Sequence, residues 1–177
     1  LSAHFGIDPG VNALVWAALV LWIQGYPEQA EQQSQEAIHL ANLLEHPFSQ
    51  TTALEVGAGI MHILGRSYQA ARADLKVSLA LADAQNFGLF QVEGRFYEGF
   101  LLVAGSHVDE GIEQMKQSLA AWRATGMRIM HSVMLGLLAQ ALGEAGKVEE
   151  GLQTLDEAFS WVEERDENFY TAELYRI

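Results

Sequence analysis

The feature that most constrains the fold is a repeat of about 40 residues, a period in the range of helical repeat arrays. Four glycines mark this repeat at nearly equal intervals, and a polar turn follows each one: Gly25, Gly65, Gly105 and Gly146. Between these turns, apolar residues recur at spacings of three and four, without strand-like alternation. Such spacing is typical of amphipathic helices. The sequence therefore predicts an all-α chain of helix hairpins.

Small residues also recur at fixed positions within each repeat, and their positions predict how the two helices of each hairpin pack. A small residue, here called the pivot, stands just inside each second helix: Ala30, Ala71, Gly111 and Gly151. Another small residue precedes each pivot by twelve positions, in the first helix: Ala18, Gly59, Gly99 and Ala139. Because small residues let two helices approach closely, we predict that each pivot faces the small residue of its own hairpin.

These registers divide the chain into about four hairpin repeats. We predict helix pairs at 9–24 with 27–45, 48–64 with 67–85, 88–104 with 107–125, and 128–145 with 148–165. We interpret 1–177 as a single array, with repeats at about 9–47, 48–87, 88–127 and 128–167 and the start of a fifth at 168–177. Because a ninth helix starts near the last residues, we interpret the chain as a piece of a longer protein.

The amino-acid composition limits which kinds of partner this chain can bind and indicates where in the cell it is found. The net charge is −13 and all ten basic residues follow residue 65, so direct binding of nucleic acid is disfavoured. The absence of cysteine excludes disulfides and thiolate zinc sites and favours a cytoplasmic location. The longest apolar run, 13–23, is shorter than the roughly 20 residues that a membrane span needs.

No pattern of residues predicts catalysis, a cofactor or a metal site, so we expect a protein that is not an enzyme. Glu36 and His39 share a helix face, but di-metal bundles need that motif twice. The glycines at 57 and 59 lack the Lys-Ser/Thr of a phosphate-binding loop. His62 lies in an apolar helix, where we predict a partly buried histidine with one hydrogen bond.

The spacing of small and large residues resembles the tetratricopeptide repeat, although the usual period of that family is shorter. HEAT-type repeats, which are of similar length to the present one, remain an alternative. The segments "GYPEQA", "HPFSQTTAL" and "LLAQALGEAGKVEEGL" are similar to the C-terminal region of multidomain bacterial proteins. Those proteins carry an ATPase and often a cyclase domain or a winged-helix regulator. The resemblance implies an α-α superhelix that serves as a non-enzymatic interaction and regulatory module, with the preceding domains of its own chain among its partners.

In tetratricopeptide repeats the first helices line a concave groove, and the resemblance carries this role onto apolar positions of the present chain. The residues concerned are Val15, Leu19, Trp22, Val56, Ile60, Ile63, Phe96 and Phe100. They offer no cation to clamp a peptide carboxylate, so the groove suits an apolar or amphipathic protein segment. The alternative is that the helices pack this face shut, since apolar stripes at helical spacing are usually core.

One short stretch, "SLAAWRATG" at 118–126, carries a large aromatic residue beside an arginine. The register places Trp122 where other repeats have Ala or Val, so we predict that it fills the joint to the next repeat. Arg123 occupies a polar position near a helix end, where a cation favours the helix dipole. Together with Arg128 it is one of few cations on an acidic chain, and we name this pair as the candidate anion site.

Two other functions remain open beside the interaction module. A small-molecule sensor would hold its ligand within the superhelix and would show a pocket with several convergent polar groups. An oligomerisation element would form a homodimer through the apolar first helix or the last helix. A peptide-binding module would instead expose Trp22, Ile60, Phe96 and Phe100 along an open groove.

Overall fold

The computed structural model describes residues 6–177, and every regular element in that range is helical. The prediction of an all-α chain of helix hairpins is therefore confirmed for the described residues. The first five residues of the predicted array lie outside them. The chain forms two compact units, of which the first ends at Gly94 and the second runs from Arg95 to Ile177.

The first unit holds two hairpins and the beginning of a third. Its elements are α1 (Pro9–Ile23), α2 (Pro27–Leu43), α3 (Pro47–Thr52), a π-helical segment (Ala53–Gly59), α4 (Ile60–Leu64), α5 (Tyr68–Gln85) and the start of α6 (Gly88–Ala104). Helix α1 packs on α2, and the π-helical segment packs on α2 and α5. The predicted boundaries of these hairpins agree closely with the structure.

The second unit holds the remainder of α6 and the helices that follow. These are α7 (Val108–Thr125), α8 (His131–Glu144), α9 (Val148–Arg165), a 3-10 turn (Asn168–Tyr170) and α10 (Thr171–Arg176). Helix α8 packs on α7 and α9. It begins later than predicted, directly after Met130, whose φ of 65° is left-handed and keeps it out of the helix.

Local sequence explains where the helices begin and end. The Asp8 carboxylate caps α1 by accepting the N–H groups of Gly10 at 2.9 Å and Val11 at 3.2 Å, and Pro9 is the first helical residue. At the other end of a helix, Gly126 follows α7 with a φ of 75°, a conformation that costs glycine little. These signals mark the start of the first hairpin and the end of the third.

Close helix contacts bear out the predicted register of small residues in the third and fourth hairpins. All four pivots and all four of their partners are buried: Ala18, Ala30, Gly59, Ala71, Gly99, Gly111, Ala139 and Gly151. In the third hairpin, a Cβ placed on Gly111 would lie 2.4 Å from the carbonyl oxygen of Gly99. In the fourth, a Cβ on Gly151 would lie 3.1 Å from the carbonyl oxygen of Ala139. The helices of these hairpins approach too closely for larger side chains.

The range 48–64 is helical as predicted, but its middle is not a regular α-helix. Residues Ala53–Gly59, "ALEVGAG", form a π-helical segment, in which each turn takes up an extra residue. Gly57 and Gly59 lie in this segment and are buried. Apolar spacing of three and four is the pattern of an α-helix, and it does not reveal that one local turn is wider.

A search of the described helices for membrane spans finds none that is both long enough and apolar enough to cross a bilayer.

Candidate functional site

The eight residues predicted to line a groove do not form an open surface. Trp22 is half-buried, and the other seven side chains are buried: Val15, Leu19, Val56, Ile60, Ile63, Phe96 and Phe100. These residues therefore lack the exposure that an open peptide groove would show, in agreement with the alternative that the helices pack this face shut. Small pivot residues bring the helices close enough to enclose these side chains. A partner would reach them only if helices moved apart, and the role of these residues in binding stays a prediction.

The candidate anion site is partly occupied by the protein itself. The Arg123 guanidinium on α7 donates a hydrogen bond to the Glu157 carboxylate on α9. Two further ion pairs join the same stretch of chain: Lys116 with Glu150, and Lys147 with Asp109. Arg128 is exposed. Because Arg123 already pairs with a carboxylate, its charge is at least partly neutralised within the protein.

Trp122 lies in the interior, as its place in the register predicted. Its side chain is 1% exposed and its indole N–H finds no acceptor among the described residues. The size of the buried ring matches a joint-filling role.

Helix α1 carries an apolar stripe on the side that faces away from the core. Its buried side contains Val11, Val15, Ala18 and Leu19, and the helix has no charged residue. We call the opposite stripe the outer face of α1: Ala13, Trp16, Val20 and Ile23. Val20 is 50% exposed and Ile23 is 45% exposed. The Trp16 indole N–H donates a hydrogen bond to Asn12 Oδ1 of the same helix at 3.0 Å. The side chains of the outer face therefore present almost only apolar atoms to water.

A pocket of about 300 Å³ lies beside α1 in the first unit. Its lining comes from α1, α2, α4 and the turn before α5: Trp22, Glu31, Met61, His62, Gly65 and Ser67. Trp22 reaches this place because Gly65 has no side chain, since a Cβ there would lie 2.9 Å from Trp22 Cη2. The sequence did not predict this pocket, because its residues come from helices far apart in the chain.

His62 links two carboxylates at the wall of the pocket. Its Nδ1 lies 2.9 Å from Asp74 Oδ2 and its Nε2 lies 3.3 Å from Glu31 Oε2. Burial raises the pKa of Asp74, and the hydrogen bond and charge of His62 oppose that rise. The prediction of a partly buried His62 with one hydrogen bond agrees with its bond to Asp74 on α5. The ion-pair contact that α2 adds through Glu31 was not predicted.

The π-helical segment carries a carboxyl group into the core. Glu55 is fully buried and accepts a hydrogen bond from Ser78 Oγ at 2.6 Å, while its second oxygen has no partner among the described residues. Glu93 is buried nearby, at 3% exposure. Burial, followed by the charge of Glu93, raises the pKa of Glu55 well above its ordinary value. A signal was present in the sequence, since Glu55 is the one acidic residue in 46–65.

A polar cluster in the second unit ties α9 to the start of α8. The Trp161 ring lies 4.2 Å from the His131 ring, and its N–H donates to Glu167 Oε2 at 2.6 Å. Burial lowers the pKa of His131 to about 4, and the charge of Arg123 adds to this effect while Glu157 opposes it. Burial also raises the pKa of Glu167. These contacts join three segments of chain and give the cluster a structural role.

Among residues 6–177, no group of three or more His, Cys, Asp or Glu side chains is arranged to hold a metal ion. Comparison of the chain with protein-family models, with curated proteins and with solved structures found no match. The fold itself defines the class, which is an all-α protein built from repeated helix hairpins.

Proposed function

We propose that this chain is a non-enzymatic protein-interaction module that associates through the outer face of α1. The observation that supports this proposal is an apolar helix with one side in the core and the other in water. In monomeric proteins a contiguous apolar patch of this kind marks a contact surface. When no other protein is present, its occupant is a second copy of this chain.

The geometry of the outer face suits a helix-to-helix contact. From Ala13 to Ile23 the stripe extends for about 15 Å at the rise of an α-helix. Ala13 lets a second helix approach closely at one end, while Val20 and Ile23 supply apolar area at the other. Complete burial of such side chains is worth about 1.5–3 kcal/mol each. One helix face is smaller than a standard interface, so we expect self-association on the order of micromolar affinity.

The resemblance to bacterial signalling proteins adds a regulatory role to this proposal. An attached ATPase, cyclase or DNA-binding domain would then sense what the module binds. A cytoplasmic location belongs to the same proposal, and the absence of cysteine agrees with it.

Sedimentation velocity over a wide range of protein concentrations tests the proposed surface. We expect the unaltered chain to form a dimer as its concentration rises. The double substitution Val20→Lys and Ile23→Lys should leave a monomer, because two ammonium groups cannot enter an apolar contact without large desolvation cost. Far-UV circular dichroism and the midpoint of thermal unfolding should stay close to those of the unaltered chain, since both positions are half exposed.

A matched double substitution on another helix controls for the general effect of removing exposed apolar residues. Val148 and Leu152 on α9 are 56% and 58% exposed. Val148→Lys with Leu152→Lys should leave dimer formation unchanged. A chain that stays monomeric at every concentration, or a control that abolishes the dimer equally, would contradict the proposal.

A further inference from the structure

The pocket beside α1 has the composition of a ligand site. Its volume of about 300 Å³ lies at the small end of the range for small-molecule sites. Its lining combines an indole, a thioether, a carboxylate, an imidazole and a hydroxyl group. The site goes beyond the interaction role of the outer face, and it gives chemical content to the alternative of a small-molecule sensor.

The charges around the pocket select for positively charged ligands. Glu31 contributes a carboxylate to the lining, with its side chain 47% exposed, and Asp74 supports the wall from behind His62. Helices α1 and α2 contain no lysine or arginine, because the first basic residue of the chain is Arg66. Neither lysine nor arginine is among the six residues that line the pocket, and its one basic side chain, His62, already lies between the carboxylates of Glu31 and Asp74. An anion would therefore meet the Glu31 carboxylate, and the imidazole of His62 is already paired with carboxylates.

The apolar part of the lining suits the carbon atoms of such a ligand. Trp22 offers an aromatic ring, which attracts organic cations through its quadrupole, and Met61 offers a polarisable side chain. The indole is held against Gly65, where a Cβ would lie only 2.9 Å from Trp22 Cη2 and 3.2 Å from the carbonyl oxygen of Met61. The shape of the pocket therefore depends on the missing side chain at Gly65.

The carboxylate Glu31 is held in place at the rim by a defined contact. His62 Nε2 lies 3.3 Å from Glu31 Oε2, and the same ring is anchored on its other side by Asp74 at 2.9 Å. The pocket thus receives the Glu31 carboxylate from α2 and the Trp22 ring from α1. Preorganised charge beside an aromatic ring is the usual chemistry of ammonium recognition.

We propose that this pocket binds a small organic ammonium ion, with its positive charge between Glu31 and Trp22 and its carbon chain against Met61. The hydrogen bonds of the ammonium group go to the Glu31 carboxylate. Its carbon atoms replace water in the apolar part of the lining.

Isothermal titration calorimetry of the full 177-residue chain with pentylammonium chloride tests this proposal. We expect saturable binding of one pentylammonium ion per chain. Pentanol and sodium pentanoate have the same chain length without the positive charge, and neither should bind measurably. Glu31→Gln should weaken binding of pentylammonium about tenfold or more, because the ligand loses a charge-assisted hydrogen bond.

Two further variants separate the site from general effects of charge and folding. Glu36→Gln removes an exposed carboxylate of the same helix outside the pocket and should leave the affinity unchanged. Gly65→Ala should weaken binding by displacing Trp22, with the helical circular dichroism signal retained. The proposal is overturned by a lack of saturable pentylammonium binding, by equal binding of pentanol or pentanoate, or by equal losses in Glu31→Gln and Glu36→Gln. None of these results depends on whether the outer face of α1 forms a dimer, because affinity is measured per chain.

Discussion

At the scale of single residues, the buried carboxyl of Glu55 has the clearest energetic consequence. Its raised pKa means that the folded chain holds the proton more tightly than the unfolded chain does. The resulting stabilisation is complete below the ordinary glutamate pKa of 4.5 and is lost as the pH rises through the raised value in the folded state. At neutral pH the carboxyl therefore opposes folding.

We predict that Glu55→Gln stabilises the protein at pH 8 by about 1–3 kcal/mol, because the amide keeps the shape without the buried charge. The gain should shrink as the pH is lowered toward 4.5, where the carboxyl of the folded chain is already protonated. Thermal unfolding followed by circular dichroism across this pH range measures it. Glu36→Gln, at an exposed position, should show no comparable trend. A gain that is constant with pH would contradict this explanation.

His131 is expected to change the pH dependence of stability in the opposite direction to Glu55, because its side chain favours folding at neutral pH and not at acidic pH. Its pKa of about 4 in the folded chain lies below the ordinary value of 6.5, so the folded state favours the neutral ring. This stabilisation is complete above pH 6.5 and is lost as the pH falls toward about 4. We predict that urea unfolding of His131→Asn shows about 1–2 kcal/mol less loss of stability between pH 7 and pH 5 than the unaltered chain. Equal losses in the two proteins would mean that His131 does not carry this effect.

At the scale of helices, the contact between α6 and α7 depends on the glycine pair described above. A Cβ on Gly111 would lie 2.4 Å from the carbonyl oxygen of Gly99 and 2.8 Å from Val103 Cγ2. Backbone atoms leave no room to adjust, so the helices would have to separate. The close approach of α6 and α7 therefore depends on the positions of both helices.

We predict that Gly111→Ala destabilises the protein by about 1–3 kcal/mol, although alanine is the better helix former. Gly143→Ala in α8 is the matched control, because a Cβ there would meet nothing within 4 Å. The control should be neutral or stabilising by up to about 1 kcal/mol. Chemical unfolding measures the stability of both variants. A Gly111→Ala protein as stable as the Gly143→Ala protein would contradict the predicted close contact at Gly111.

The helix pairs and their pivots could be predicted from the sequence because both depend on local patterns. Glycines at the turns and small residues at fixed spacing are visible without coordinates. The π-helical segment was missed because Gly57 and Gly59 are compatible with either type of turn. The pocket was missed because Glu31, His62 and Asp74 meet only when three helices are placed in space. The sequence left open whether the groove residues are exposed or packed shut, since an apolar stripe does not reveal how closely neighbouring helices pack.

At the scale of the whole molecule, the predicted groove residues are mostly buried, whereas the apolar outer face of α1 is exposed to water. Seven of the eight predicted groove residues are buried, so the first-helix positions of the repeat serve mainly as core. The outer face of α1 is the surface through which we propose that this acidic chain of net charge −13 makes apolar contact. The central claim is that two copies meet through this face.

Disulfide formation at a single introduced cysteine tests that claim most directly, because the sequence contains no cysteine. Val20→Cys places a thiol on the outer face of α1, and Leu152→Cys places one at similar exposure on α9. We expect mild oxidation of dilute protein to link Val20→Cys into a covalent dimer much faster than Leu152→Cys. Equal rates of dimer formation for the two variants would contradict the claim.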